Sequence, residues 1–508
     1  MTLGSLLHTF ADRSGIPVPP LEAAAETTVS SISYDSRKAR PGSVFVALRG
    51  LHADGTAFAR EAITRGAVAA LSESAAPADL RVAWIQVPDA RLALAALAAI
   101  FYGDPSEQLV LVGITGTNGK TTTSYLLASA FEAAGITCGR IGTVGYRIGR
   151  KEIEAERTTP EAPELQSMMR DMVSQGCGAC VMEVSSHALA LKRADYLRFG
   201  AAIFTNLTRD HLDFHRNMDD YFAAKRRLFE LLPKDAVAVV NLDDRRGAEL
   251  LSIAKRSITY AIDANADVHP SKLTSTLDGL RFDLTTPRGL LHIESRLVGR
   301  ANAYNILATV AAAAALDLPS SAIENGIASL TAVPGRFQLV SDARDDVRVV
   351  VDYAHTDDAL KNLLETARPI ATGRIITVFG CGGDRDRTKR PLMGAVAARL
   401  SDLVIVTSDN PRSESPADII DQIKRGIVAP GDRSRGRSTA KETRCIAIVD
   451  RKEAIERSVR EALPGDLILI AGKGHEKYQV VGERVLPFDD VEVARTALER
   501  RRAGTRVC

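Results

Sequence analysis

One run of residues constrains this chain more than any other: Gly113-Ile114-Thr115-Gly116-Thr117-Asn118-Gly119-Lys120-Thr121-Thr122. It follows the apolar segment Leu109-Val110-Leu111-Val112, which reads as a buried strand, and it precedes Thr123 to Ala134, which reads as a helix. A strand, a glycine-rich loop, Lys-Thr and then a helix make a phosphate-binding arrangement. Backbone N–H groups and the helix N-terminus face the anion, and Lys120 adds a point charge. The Thr121 hydroxyl is placed to serve Mg²⁺. Ile114 stands where the generic pattern has its first glycine. The bland reading is a glycine-rich turn, but Lys-Thr in this context argues against it.

A chain of 508 residues is long enough for about three domains. Lys and Arg number 65 and Asp and Glu 63, so no charge excess points to nucleic acid or an anionic membrane surface. Arg500, Arg501 and Arg502 read as a solvated helix end. Leu6, Leu7 and Phe10 are too few and too interrupted for a signal peptide, and no apolar run is long enough to span a membrane. The six cysteines are scattered. Cys177 and Cys180 have metal-like spacing, but without a second pair they read as buried free thiols. We expect a reducing cytoplasm.

The first zone runs to about Asp104. Asp35-Ser36-Arg37 and Pro41-Gly42 form a turn before the strand Phe45-Val46-Ala47-Leu48, and Ala90 to Phe101 reads as a helix that Gly103-Asp104-Pro105 ends. From about Ser106 to Gln338, strands at 109–114, 179–183, 201–205 and 236–241 alternate with helices, including a packed Ala-rich one over Ala308 to Leu316. That alternation predicts a helix-covered parallel sheet with ligands at the carboxyl ends of its strands. From about Leu339, strands at 374–379, 402–407 and 466–471 run into Gly380-Cys381-Gly382-Gly383-Asp384-Arg385-Asp386, Ser408-Asp409-Asn410-Pro411-Arg412 and Gly472-Lys473-Gly474-His475-Glu476. Charge at the end of each strand, with glycine in the first and third loops, predicts a polar-ligand site on one rim. The competing reading is a set of caps and turns.

Three further clusters lie in the second zone: Glu183-Val184-Ser185-Ser186-His187, Thr205 to Asp213 with His211, and the helix Tyr221 to Phe229 with Lys225. Taken singly, these are a cap, a loop histidine and a surface lysine. In order, however, they resemble the central domain of the Mur ligase family. Gly299-Arg300-Ala301-Asn302 is similar to that family's adenine-side segment, and Gly335-Arg336 with Asp352-Tyr353-Ala354-His355 to its ATP-contacting hinge. Asp35-Ser36-Arg37 with Gly50-Leu51-His52-Ala53-Asp54-Gly55 is similar to the UDP-binding domain of one branch.

The resemblance implies an α/β fold of three domains. These are an N-terminal UDP-binding α/β domain (1–105), a central P-loop-type parallel-sheet ATPase domain (106–338) and a C-terminal Rossmann-like α/β domain (339–508). It implies ATP-driven amide formation through an acyl phosphate, as in cytoplasmic peptidoglycan precursor synthesis. Gly116, Thr117, Asn118, Gly119, Lys120, Thr121, Thr122, Asn302, Arg336 and Asp352 would bind ATP, which is a co-substrate. Thr121, Glu183, His211 and a carbamylated Lys225 would hold Mg²⁺, with Lys120 neutralising phosphate charge. Tyr34, Ser36, Thr158, Thr159, Ser186 and Arg193 would meet the UDP-muramoyl dipeptide.

Asp409-Asn410-Pro411-Arg412 resembles the signature of the branch that adds meso-diaminopimelate. Diaminopimelate carries a second amino-acid head. Arg412 and Arg390 would take its carboxylate and Glu476 its ammonium, with Asp409, Asn410, Pro411 and Gly472 around them. Arg300, Gln338 and Leu191 depart from the family pattern, and Leu191 puts a substrate contact at that position in doubt. A lysine-adding or folylpolyglutamate-type ligase would share the ATP loop. A dead nucleotide-binding scaffold would have lost Lys120, Glu183, His211 or Lys225, and all four are present. The expected partners are small molecules, with no nucleic acid and no membrane, acting on a monomeric chain.

Overall fold

The computed structural model describes residues 1–50, 53–78, 80–428 and 444–505; Leu51 and His52 of the first-zone motif lie outside them. Three largely parallel sheets follow one another along the chain. The first holds Ser31–Ser33, Ser43–Ala47, Ala67–Ser72 and Ala83–Gln86, in that order and all parallel. Ser43–Ala47 is buried throughout, which is why its sequence is a near-continuous apolar run. Leu3, Leu6, Leu7 and Phe10, at helical spacing on Leu3–Ser14, pack with Leu94 and Leu97 of Ala90–Tyr102 in the core. Asp89 caps the latter helix by accepting from Leu92 N at 2.9 Å, and Gly103 ends it in the left-handed region.

The central sheet has eight strands. Val110–Thr115 lies in its middle, between Ala201–Phe204 and Ala179–Glu183, and pairs with both in parallel. Val237–Asn241 and Arg256–Tyr260 extend one side, and Cys138–Ile141 extends the other toward two short antiparallel strands. The central strand begins at Val110, which is 38% exposed, so it reads one residue later than its apolar run suggests. The Ala-rich helix is Arg300–Ala315, buried along most of its length, and a glycine at 326 lets the next helix close onto Ala130. Cys177 and Cys180 are both buried and free.

An antiparallel sheet, His269–Thr276, Gly279–Thr286 and Gly289–Ser295, interrupts the expected alternation. The signal for it was in the sequence: Asp278-Gly279 separates strands in which Leu280, Phe282 and Leu284, then Leu291 and Ile293, alternate inward.

The third sheet runs Gln338–Leu339, Arg348–Asp352, Leu467–Ala471, Ile375–Phe379, Leu403–Val406 and Arg444–Ala447, parallel except at its first strand. The expected boundary between residues 338 and 339 is therefore corrected, because it cuts through that first strand. A hairpin, Tyr478–Val481 with Arg484–Pro487, follows the Gly472–Glu476 loop. Of Arg500, Arg501 and Arg502, the first is solvated as expected, at 64% exposure, and the other two are largely covered. Arg501 is bidentate to Asp346 at 2.7 Å and Arg502 reaches Asp342, which ties the last helix to the rest of the third layer, while Arg500 makes a surface pair with Glu456 at 2.8 Å. Among the described residues no helix is long and apolar enough to cross a membrane.

Polar contacts join the layers. Tyr34 Oη donates to Glu164 at 3.0 Å and Lys192 pairs with Asp89, joining the first layer to the second. Asn118 Nδ2 donates to Asp358 at 3.1 Å and Arg209 to Thr388 Oγ1 at 2.5 Å, joining the second to the third.

Candidate active site

The loop after Val110–Thr115 is shaped by glycines. Gly116 has φ +147° and Gly119 φ +89°; a Cβ on the first would intrude on Thr205 Oγ1, and on the second on Asn305 Oδ1. Gly119 caps Lys120–Ala133 without a side chain, so no side chain claims the N–H groups of that first turn. Asn206 holds the loop from below, its carbonyl accepting from Thr117 N and its Oδ1 from Asn118 N, each at 2.9 Å. Lys120 Nζ donates to Gly116 O and Thr117 O, both at 2.8 Å. Burial lowers its pKa, partly offset by Glu183 and Asp210.

Glu183 ends the neighbouring strand and is 1% exposed. Its Oε2 accepts from Thr121 Oγ1 at 3.1 Å and Thr143 Oγ1 at 3.0 Å, and its Oε1 from Thr143 N at 2.9 Å. These donors are neutral. A buried carboxylate beside a threonine hydroxyl at a phosphate loop is a hard-oxygen set that suits Mg²⁺. Among the described residues no three His, Cys, Asp or Glu side chains gather closely enough to hold a metal, so Glu183 and His211 do not by themselves make a metal site.

Lys225, from the Met218–Glu230 helix, is not a surface lysine. It is 1% exposed, lies 4.3 Å from the Tyr221 ring centroid and donates to Gly116 O at 2.8 Å. Burial, and then the Lys120 charge, hold its pKa well below that of an ordinary lysine. His211 has φ +54° and stacks edge-on against His187 with centroids 4.9 Å apart. Burial pushes its pKa down to about 3; the neighbouring Asp210 opposes that shift, and His187, Lys120 and Lys225 add to it. His215, 2.9 Å from Ser186 Oγ, is pushed down to about 4 by burial.

A cavity of about 840 Å³ opens between the first layer and the central one, lined among others by Tyr34, Ser36, Arg37, Lys38 and Arg157. The chain then leads from this cavity to Glu183. Thr158 Oγ1 lies 3.0 Å from Thr143 Oγ1, and Thr159 Oγ1 donates to Glu183 O at 2.9 Å. Arg193 donates to Thr159 O at 3.1 Å and pairs with Glu161 at 2.8 Å, leaving its buried Nε as the one nitrogen without a partner.

Several expected ATP contacts are engaged within the protein. Asn302 Nδ2 donates to Val298 O and its Oδ1 accepts from Asn305, so it supports the loop through Asn305. Asp352 accepts from Phe337 N at 2.6 Å and Ala354 N at 2.8 Å, which makes it a fastener of the hinge. Arg336 does reach the loop, donating to Thr121 Oγ1 at 3.1 Å. Gln338 Oε1 accepts from Gly335 N at 2.9 Å, and Arg300 pairs with Asp263 at 2.5 Å on the surface.

On the third sheet the expected loops converge. Asp409 and Asn410 are buried. Arg412 has φ +51°, its N–H donating to Val480 O and its carbonyl accepting from Gly482 N, while Nη1 donates to Gly383 O at 2.8 Å. The loop lies so close to Gly383 that a Cβ there would overlap Pro411 O. Arg390 is corrected as an open carboxylate fork. It is fully buried, and its terminal nitrogens bind Glu414 at 2.8 and 2.9 Å, Gln422 and Gly382 O, leaving only Nε without a partner. That pairing pulls Glu414 down to about pH 2. Glu476 Oε2 accepts from Asn410 Nδ2 at 2.9 Å and from Lys473 Nζ at 3.2 Å. Lys473, in the same loop as Glu476, is 0% exposed.

A relative from Solibacter usitatus (strain Ellin6076), a UDP-N-acetylmuramoyl-L-alanyl-D-glutamate--2,6-diaminopimelate ligase, is 47% identical over 502 residues, 98% of each chain. The chain belongs to the Mur ligase family. A second such ligase, from Geobacter sulfurreducens, is 47% identical over 500 residues, 96% of this chain and 98% of that one. Family models match in three stretches: the Mur ligase family catalytic domain at residues 28–102, the Mur ligase middle domain at 114–313 and the Mur ligase glutamate ligase domain at 335–474. A solved structure described as a UDP-N-acetylmuramoyl-L-alanyl-D-glutamate--2,6-diaminopimelate ligase aligns over 99% of both chains with TM-score 0.69 and 33% identity. The three-domain Mur ligase architecture is thus that of this chain.

Proposed function

We propose that this chain is an ATP-dependent ligase that joins meso-2,6-diaminopimelate to the D-glutamyl γ-carboxylate of UDP-N-acetylmuramoyl-L-alanyl-D-glutamate, in cytoplasmic peptidoglycan precursor synthesis. The observation that carries this reading is the meeting of Lys120 and Lys225 at Gly116 O, beside the buried Glu183. The phosphate loop alone fits many ATP-using proteins; a second, buried lysine amine at its glycine fits this one.

The γ-carboxylate oxygen attacks the γ-phosphorus of ATP, the bond to the β–γ bridging oxygen breaks, and ADP leaves an acyl phosphate. The amine of diaminopimelate attacks the acyl carbon, loses a proton, and the tetrahedral intermediate expels phosphate to leave the amide. Such a site works by orientation and charge neutralisation. The first-turn N–H groups of the Lys120–Ala133 helix and Lys120 would receive the phosphates. Mg²⁺, when bound, neutralises phosphate charge, and Thr121, Glu183, His211 and carbamylated Lys225 are the residues that would hold it. A lysine amine that is neutral at working pH can add CO₂: the Nζ lone pair attacks carbon, one C–O π pair moves to oxygen, and a proton leaves to solvent. The cavity lined by Tyr34 and Ser36 would take the UDP end, and Thr158, Thr159 and Arg193, bonded in a chain toward Glu183, would line the path to the reacting carboxylate. The chain would act as a monomer on small molecules.

The deciding assay supplies ATP, Mg²⁺ and the UDP-muramoyl dipeptide and compares meso-diaminopimelate with L-lysine as acceptors. ADP release and tripeptide product with diaminopimelate are expected. ADP release without product, or equal use of lysine, would overturn the acceptor assignment.

A further inference from the structure

Lys473 is a buried lysine that the reaction as written does not use. Its Nζ lies 3.0 Å from Asn410 Oδ1, 3.2 Å from Glu476 Oε2 and 3.5 Å from Asp409 Oδ1. Asp409 and Asn410 follow one strand of the third sheet, and Lys473 and Glu476 follow another, so this lysine ties two loops together. Asn410 closes the ring, donating from Nδ2 to Glu476 Oε2 at 2.9 Å, while its Oδ1 also accepts from Val480 N at 2.9 Å. The approach is tight: a Cβ on Gly472 would come within 2.8 Å of Asp409 Oδ2.

The charges explain what such a lysine does. Asp409 and Glu476 bring two negative charges and Arg412 one positive. Without Lys473 the cluster is net negative and suits a lone ammonium. With it the cluster is balanced and suits a head that carries one charge of each sign. Lys473 and Asn410 both bond Glu476 at the same oxygen, Oε2.

We infer that Lys473 is a positioning residue that sets acceptor specificity. It compensates Asp409, fixes Glu476 against Asn410, and so makes the cluster accept a zwitterionic amino-acid head in preference to a bare ammonium. This rests on the reading of these loops as the acceptor site.

The test uses the full chain and measures KM and kcat for meso-diaminopimelate and L-lysine, KM for ATP, and thermal unfolding. Lys473→Met should raise KM for diaminopimelate about 10- to 100-fold, the span expected for losing a charged hydrogen bond. The diaminopimelate-to-lysine ratio of kcat/KM should fall in proportion, with KM for ATP and kcat at saturation little changed. The double variant Lys473→Met with Asp409→Asn restores the charge balance and should bring that ratio back to within about threefold of wild type. An unchanged ratio in a folded Lys473→Met would overturn the inference, as would parallel loss of ATP use and of thermal stability. If the single variant does not fold, the double variant decides, and a lost preference there overturns it. A wild type that prefers diaminopimelate while Lys473→Met keeps its ratio leaves the acceptor reading standing. A wild type without that preference removes both.

Discussion

Lys120 and Lys225 donate from Nζ to the same oxygen, Gly116 O, each at 2.8 Å. Two ammonium groups at one carbonyl repel each other, and burial penalises both. Both pKa values are lowered, and that of Lys225, the deeper of the two, is held well below the ordinary lysine value. On the proposed reading, placement alone would make one lysine the phosphate-facing cation and the other the amine that takes up CO₂.

Lys120→Ala should abolish turnover, by about 10³-fold or more if its charge acts in the phosphoryl-transfer transition state. It removes two hydrogen bonds from Nζ to Gly116 O and Thr117 O but no part of the apolar core, so the circular dichroism spectrum should be kept while the melting temperature falls modestly. Near-normal ligation by the folded variant would refute the assignment.

Lys225→Ala should lose activity, and acetate or formate should restore part of it by supplying the missing carboxylate. Depleting bicarbonate should slow the wild type and leave the rescued variant unaffected. Full activity in Lys225→Ala would return this residue to a packing role.

A site built around a charged partner commonly rejects the analogue that lacks it by ~10⁴-fold. We expect that order of preference for meso-diaminopimelate over L-lysine. Arg412→Ala should raise KM for diaminopimelate and leave KM for ATP unchanged, because the left-handed turn at 412 is held by backbone bonds to Val480 and Gly482. Arg412→Lys should rescue poorly, since a point charge does not replace a planar fork. Unchanged diaminopimelate kinetics in Arg412→Ala would remove that residue from the site.

Burial holds His211 and His215 neutral down to about pH 3 and about pH 4. Unfolded imidazoles take up protons near pH 6.5. Below that pH the unfolded chain therefore binds more protons, and these histidines favour folding fully only above it. The melting temperature should fall as pH drops from about 6.5 toward 4, before loss of the Arg390–Glu414 pair contributes below the usual carboxylate range. His215→Gln should flatten that slope in differential scanning calorimetry; an unchanged slope would show that this ring does not contribute.

The sequence was most legible where local geometry and chemistry coincide. Strand, glycine loop and Lys-Thr placed the phosphate loop, and the loops after three strands of the third sheet do converge. Depth was less legible. Lys225 and Lys473 sit on elements that look amphipathic or loop-like, and only tertiary packing shows that both are buried. Arg390 illustrates the converse. Its charge invited a ligand, but Glu414, in the loop that follows Arg412, takes its terminal nitrogens. The antiparallel sheet at 269–295 was missed because a parallel pattern on both sides drew attention from its Asp-Gly turn.

Gly116, Gly119 and Gly383 each stand where the first carbon of any side chain would strike Thr205, Asn305 or Pro411. These stretches of bare backbone cannot be reworked by a single codon change without moving a neighbouring segment of the chain. An inhibitor that takes its affinity from main-chain groups at these glycines, instead of from the side chains around them, would press on surfaces where resistance has the fewest routes.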